Sequence, residues 1–265
     1  MTLLLNYKVF GEKNNDALLI VHGLFGSLDN WLTLAKKWSE AYFVIIIDVR
    51  NHGKSFHSED MTFESINLDI IAVLNAENIE KASILGHSMG GKIAMEFAAF
   101  YSERVNKLIV ADVAPFPYTP HHKDVFEMLD AVDLPQYNTR LEIENEVKKY
   151  IENEGVVQFV LKNIKRNENS HIFEWKFNKD VLKLNYLYLI QRVVSKGFDG
   201  EVLFIGGENS KYITKETSQL IFDLYSHVEL DFVSNAGHWL HADNPIEFYE
   251  KVTLFLEKSE YELDN

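Results

Sequence analysis

Residues 86–90 read Gly-His-Ser-Met-Gly, followed by a further Gly91. A β-type apolar run, Ala82–Leu85, leads into them, and a helix-period run from Met89 to Tyr101 leads out. Gly-x-Ser-x-Gly between a strand and a helix predicts a sharp strand–turn–helix in which the positions flanking the serine have no room for side chains. Such a turn lifts the Ser88 hydroxyl clear of the sheet edge, at the start of a helix whose unpaired amides favour negative charge. Ser88 is therefore a candidate nucleophile. The bland alternative is a small-residue turn that only packs a helix on a strand.

The rest of the chain supplies a sheet for that turn. Short apolar runs at Leu18–His22, Phe43–Asp48, Ala82–His87, Lys107–Asp112, Val202–Gly206 and Val228–Val233 alternate with amphipathic stretches. Those stretches lie at Trp31–Trp38, Phe63–Ala76, Met89–Tyr101, Thr214–Tyr225 and Pro245–Leu256. Strand–helix alternation predicts an α/β fold with a mostly parallel sheet covered on both faces. One interval breaks the rhythm. Between Pro115 and Gly200 the patterns are helical (Lys123–Ala131, Ile143–Ile151, Val156–Ile164, Val181–Val194), with one alternating piece, Phe173/Trp175/Phe177. The expected organisation is a core of residues 1–114 and 201–265 with a helical cap, 115–200, inserted over the carboxyl ends of the strands, where sheets of this class bind ligands. The cap's aromatic residues hold it together, and a few of them line an acyl pocket that sequence alone does not sort.

Composition narrows the partners. The 265 residues include 40 acids against 26 bases, a net charge of −14, with 46% hydrophobic and 25% charged residues. This acidity argues against nucleic acid, which needs a basic face, and against anionic lipid. There is no cysteine, which removes disulfides and thiolate chemistry. The amino terminus lacks the basic segment of a signal peptide, and the longest apolar run, Ala41–Ile47, is too short to span a bilayer. The expectation is a cytoplasmic protein that does not insert in membranes; a homodimer is compatible with the sequence.

A serine hydroxyl needs a base to take its proton and a third group to orient the base. His238, in Asn235-Ala236-Gly237-His238-Trp239 after the last apolar run, falls at the same sheet edge as Ser88 and follows it in chain order. His22-Gly23-Leu24-Phe25-Gly26 ends an early strand, and a turn at Gly23 points the Leu24 amide toward a reacting carbonyl. Together with the Met89 amide this makes a two-donor oxyanion hole. The acid has two candidates: Asp112, closing the strand after the nucleophile strand, and Glu208, early in the loop after the next core strand. Asp112 is preferred, because neighbouring strands lie about 4.8 Å apart and a carboxylate there reaches a histidine beside Ser88. His87 reads as a packed position, His241 as half of a His-x-x-His pair without a third ligand, and His121 and His122 as solvated. Asp48 to Ser55 (Asp-Val-Arg-Asn-His-Gly-Lys-Ser) reads as scaffolding for the oxyanion loop.

The order His-Gly-Leu-Phe-Gly, Asp-x-Arg-Asn-His-Gly-x-Ser, Gly-His-Ser-Met-Gly-Gly, Ala-Asp-Val-Ala-Pro and Ala-Gly-His-Trp-x-His resembles the α/β-hydrolase superfamily across residues 22–241. More narrowly it is similar to small bacterial esterases of the YbfF type. The resemblance implies hydrolysis of carboxylic esters or acyl-CoA thioesters through an acyl-enzyme, with no metal or organic cofactor. It also bears on the acid. Most of the superfamily carries an aspartate where this chain has Ser210, whereas the YbfF type places it after the sixth strand, at Asp112. Serine at the elbow removes dehalogenase and epoxide-hydrolase chemistry, which needs a carboxylate there. Two rivals stay open: a carbon–carbon lyase or hydrolase of the menaquinone-synthase type, whose elbow is usually followed by arginine where Lys92 stands here, and a non-catalytic ligand-binding homologue. For a CoA substrate, the cap's Lys162, Lys165 and Arg166 are the evident basic cluster.

Overall fold

The apolar runs become the strands of one sheet in the computed structural model, which describes residues 3–120, 122–191, 194 and 196–258. The first part of the chain contains β1 (Tyr7–Phe10), β2 (Ala17–Val21), α1 (Leu32–Trp38), β3 (Phe43–Ile47), α2 (Phe63–Ala76), β4 (Ala82–His87), α3 (Met89–Phe100) and β5 (Val105–Ala111). Next come α4 (Lys123–Ala131), α5 (Arg140–Val147), α6 (Glu154–Lys162), β6 (Ile164–Arg166), β7 (Phe173–Trp175) and α7 (Lys179–Gln191). The chain then returns to the sheet with β8 (Val202–Gly207), α8 (Lys215–Leu224), β9 (Val228–Val233), the single turn α9 (Leu240–Asp243) and α10 (Pro245–Glu257).

The seven-stranded sheet has the order β1-β3-β2-β4-β5-β8-β9. All its neighbouring strands run parallel except β1, which is antiparallel to β3. The central strands are buried on both faces, so their side chains divide between two apolar layers. Leu19, Ile45, Ile84 and Val110 face the layer with α2 and α3, and Leu18, Ile46, Leu85 and Ile109 face the layer with α1 and α10. Apolar residues between β5 and β8, among them Met128, Ile143, Val157 and Leu182, join the first of these layers.

The helix expected over Ile143–Ile151 instead spans Arg140–Val147, started early by the Thr139 cap, and two further details depart from the sequence expectations. β1 falls outside the expected strands because its Tyr-Lys-Val-Phe pattern belongs to a half-exposed edge, where the apolar signal is weak. The helix expected over Val156–Ile164 stops at Lys162; Asn163 breaks it, and Ile164 starts β6, which pairs antiparallel with β7. No described helix is long and apolar enough to cross a membrane.

Candidate active site

The β4–α3 turn is as tight as its glycines imply. A Cβ on Gly86 would stand 2.1 Å from the Gly90 carbonyl oxygen, and one on Gly90 would stand 2.3 Å from that of Val21. Ser88 adopts φ 55°, a left-handed conformation rare for a residue with a side chain. The parallel register pairs His87 with Ala111, so Ser88 and Asp112 leave the sheet side by side. Asp112 also has positive φ, 51°, and its side chain is fully buried.

His238 reaches across from the loop after β9. Its Nε2 lies 3.0 Å from Ser88 Oγ, and its Nδ1 lies 2.6 Å from Asp112 Oδ2. A carboxylate accepts only, so Nδ1 carries the proton and Nε2 is left to receive the serine's. Asp112 is held from its other side. Gly207 N–H donates to Oδ1 at 3.1 Å and the Ser210 hydroxyl to Oδ2 at 2.5 Å. Ser210, the position where the resemblance implies an acid in most relatives, thus supplies a hydroxyl to the Asp112 carboxylate. Glu208 turns away and accepts the Asn235 backbone N–H at 2.8 Å. The Tyr212 ring stacks on the His238 imidazole, with centroids 4.0 Å apart and planes 14° from parallel.

Buried histidines explain how the loop after β2 is aimed, a role that sequence reasoning missed. Val49 N–H donates to His22 Nε2 at 3.1 Å, so the ring's proton sits on Nδ1 and is donated to the Gly23 carbonyl at 2.8 Å. Gly26 N–H donates to the same carbonyl. In a planar trans peptide the next N–H points the opposite way, so fixing the Gly23 carbonyl aims the Leu24 N–H away from it. His52 repeats the device: Nε2 accepts from Phe25 N–H at 3.2 Å and Nδ1 donates to the Arg50 carbonyl at 3.0 Å. Burial lowers the basicity of both rings, keeping each a neutral donor–acceptor. The only sequence signal was two histidines beside glycines in loops already read as scaffold. That scaffold is built as expected: Asp48 accepts the Leu28 and Lys54 amides, and Arg50 pairs with Asp69 at 2.7 Å. Leu24 and Met89 both flank Ser88, and their amides have no hydrogen-bond partner among the described residues.

The remaining candidates separate. His87 is packed as expected, and its Nε2 donates to the His238 carbonyl at 2.7 Å, tying the His238 backbone to the elbow. Both ring nitrogens of His238 face Asp112 and Ser88, while His241 stacks on Trp31 at 4.3 Å and burial pushes its imidazole down to about 3. His121 lies outside the described residues. His122 is half-buried rather than solvated, 2.7 Å from the Tyr186 hydroxyl. Lys162, Lys165 and Arg166 do not converge on the site. Lys165 pairs with Glu174 beside a separate groove and Arg166 lies over Phe173, while Lys162 is near enough to contribute to the lowering at His241. Lys92, one turn beyond Ser88, buries its ammonium and donates to the Phe116 and Ile190 carbonyls at 2.7 and 2.8 Å. Burial pushes it down to about 7.

Above Ser88 lies a cavity of about 250 Å³ lined largely by apolar side chains, among them Phe25, Trp31, Met128, Phe159 and Trp239. Of the cap aromatics left unsorted by sequence, Phe159 and Phe177 line it.

Residues 16–245 match the family model described as alpha/beta hydrolase fold. The chain is 34% identical to Esterase YbfF of Escherichia coli strain K12, over 88% of this chain and 90% of that protein. It is 32% identical to the sn-1-specific diacylglycerol lipase ABHD11 of Danio rerio, over 96% of this chain and 82% of the relative. A solved structure of a marine microorganism esterase superposes with a TM-score of 0.90 at 38% identity, covering 96% of this chain and 100% of that one.

Proposed function

The chain belongs to the α/β-hydrolase fold family, and from that membership we propose that it is a serine hydrolase of carboxylic esters working through an acyl-enzyme. Ser88 Oγ attacks the carbonyl carbon while His238 Nε2 takes its proton. The resulting oxyanion is held by the Leu24 and Met89 amides. Collapse breaks the bond to the leaving oxygen, which receives the proton from His238. A water then gives its proton to His238 and attacks the acyl carbon, and Ser88 leaves with that proton as the free acid departs. Asp112 keeps the imidazole in the required tautomer and orientation. The segment between β5 and β8 acts as a cap that shields the reacting carbonyl from bulk water. Thioesters of the same acyl groups pass through the same steps.

The observation that carries this reading is the unbroken chain from Ser88 Oγ through His238 to Asp112, at 3.0 and 2.6 Å. The test is covalent. A fluorophosphonate probe is expected to label the protein and stop hydrolysis of 4-nitrophenyl acetate, and Ser88→Ala to abolish both. A Ser88→Ala protein that still labels and turns over would remove Ser88 from the role.

A further inference from the structure

The Ser88 hydroxyl opens onto two cavities of very different size. The larger is the 250 Å³ space described above, and the second has about 30 Å³. Leu24, Ser88, His122 and Tyr212 border both; Met89, Lys92, Val113 and Leu189 help to close the smaller one. A single water needs roughly 10–15 Å³ on the same scale, so the smaller cavity holds only about two or three heavy atoms.

Which half of an ester enters which cavity follows from the general acid. His238 must deliver its proton to the leaving oxygen, so the alcohol lies on the side of the imidazole. His238 and Trp239 line the larger cavity, and among the described residues neither lines the smaller. The acyl remainder, on the far side of the carbonyl carbon, is left with the smaller space. Its floor resists enlargement. Val113 and Leu189 are buried at 2% and 1% exposure, and the Lys92 ammonium is hydrogen-bonded to carbonyls from both ends of the inserted segment. A longer acyl chain would have to break those bonds and leave buried polar groups unpaired.

Resting on the esterase reading above, we propose that the site selects esters of short acyl groups, up to about three or four carbons, carried on larger apolar alcohols, with Leu189 and Val113 setting the acyl limit. The large apolar cavity binds the alcohol and the small one measures the acid.

Two ester series test this. In 4-nitrophenyl esters from acetate to octanoate, kcat/KM is expected to fall at least about tenfold between propionate and hexanoate. In acetates of increasing alcohol size, from methyl to hexyl, it is expected to rise. Leu189→Ala, and independently Val113→Ala, should shift the acyl optimum to longer chains without changing the order of the alcohol series. Phe159→Ala should alter the alcohol series alone. A wild-type protein that hydrolyses octanoate as well as acetate overturns the proposal while leaving the esterase reading intact. Failure to hydrolyse any of these esters, together with no labelling by fluorophosphonate, removes the esterase reading itself.

Discussion

Ser88 and Asp112 sit at φ 55° and 51°, and Phe25, Asn51 and Asn235 in the surrounding loops are also left-handed. Each such residue costs on the order of 1–3 kcal/mol and persists only where its surroundings over-determine it. Here the register of β4 on β5 and the brace on Asp112 do so. Because that carboxylate orients the imidazole, Asp112→Asn is expected to lower kcat by about 10⁴-fold through loss of the correct tautomer. Glu208→Gln, on an exposed side chain that touches only the Asn235 amide, should stay within roughly twofold. Ser210→Ala removes one bond to a charged acceptor and should cost roughly tenfold in kcat with little change in KM. Steady-state kinetics on one ester separates the three. In the proposed mechanism His22 acts on the Leu24 amide through the Gly23 carbonyl. His22→Ala is therefore expected to lower kcat by roughly 10²-fold, with affinity for a boronate transition-state analogue falling in parallel. If kcat falls while boronate affinity holds, that geometric route is wrong.

At the scale of the element, α2 was legible to its ends, Phe63 to Ala76, because Thr62 caps its amino terminus and its apolar period is unbroken. The β4–α3 unit was legible for a different reason: its glycines are demanded by backbone atoms 2.1 and 2.3 Å from any added Cβ. Gly86→Ala is accordingly expected to fold poorly, as a loss of soluble protein or a markedly lower urea midpoint. What α3 does one turn later was not legible, since Lys92 stood out in the sequence only as a departure from the arginine of a rival family. Burial places the Lys92 ammonium at about 7, against 10.5 for an ordinary lysine. The unfolded chain therefore binds more protons than the folded one between those values, so this group's contribution to stability rises as pH is raised from 7 toward 10. Urea midpoints of wild type relative to Lys92→Met should increase over that window. A difference that is flat or falls with pH would count against a lysine whose burial lowers its proton affinity in the folded chain.

For the whole molecule, apolar residues of the inserted segment and of the sheet form one continuous layer. Unfolding followed by tryptophan fluorescence, with Trp175 in the segment and Trp31 and Trp38 on the opposite face of the sheet, should coincide with unfolding followed by far-UV circular dichroism. Two separate midpoints would mean that the segment melts alone. The sequence by itself determined the α/β class and the chain positions of the parallel core strands, and it marked Ser88 in its tight turn and His238 as candidates. Each of these is written in local patterns: a period of buried residues, a turn that admits only glycine, a loop at a known end of a strand. Only the tertiary structure decided which of two carboxylates stands against His238, that Ser210 braces it, how His22 and His52 aim a loop, and how unequal the spaces beside Ser88 are. Those properties depend on register and on distances between segments far apart in the chain. A difference of a few ångströms there leaves no mark on the spacing of residues along the sequence.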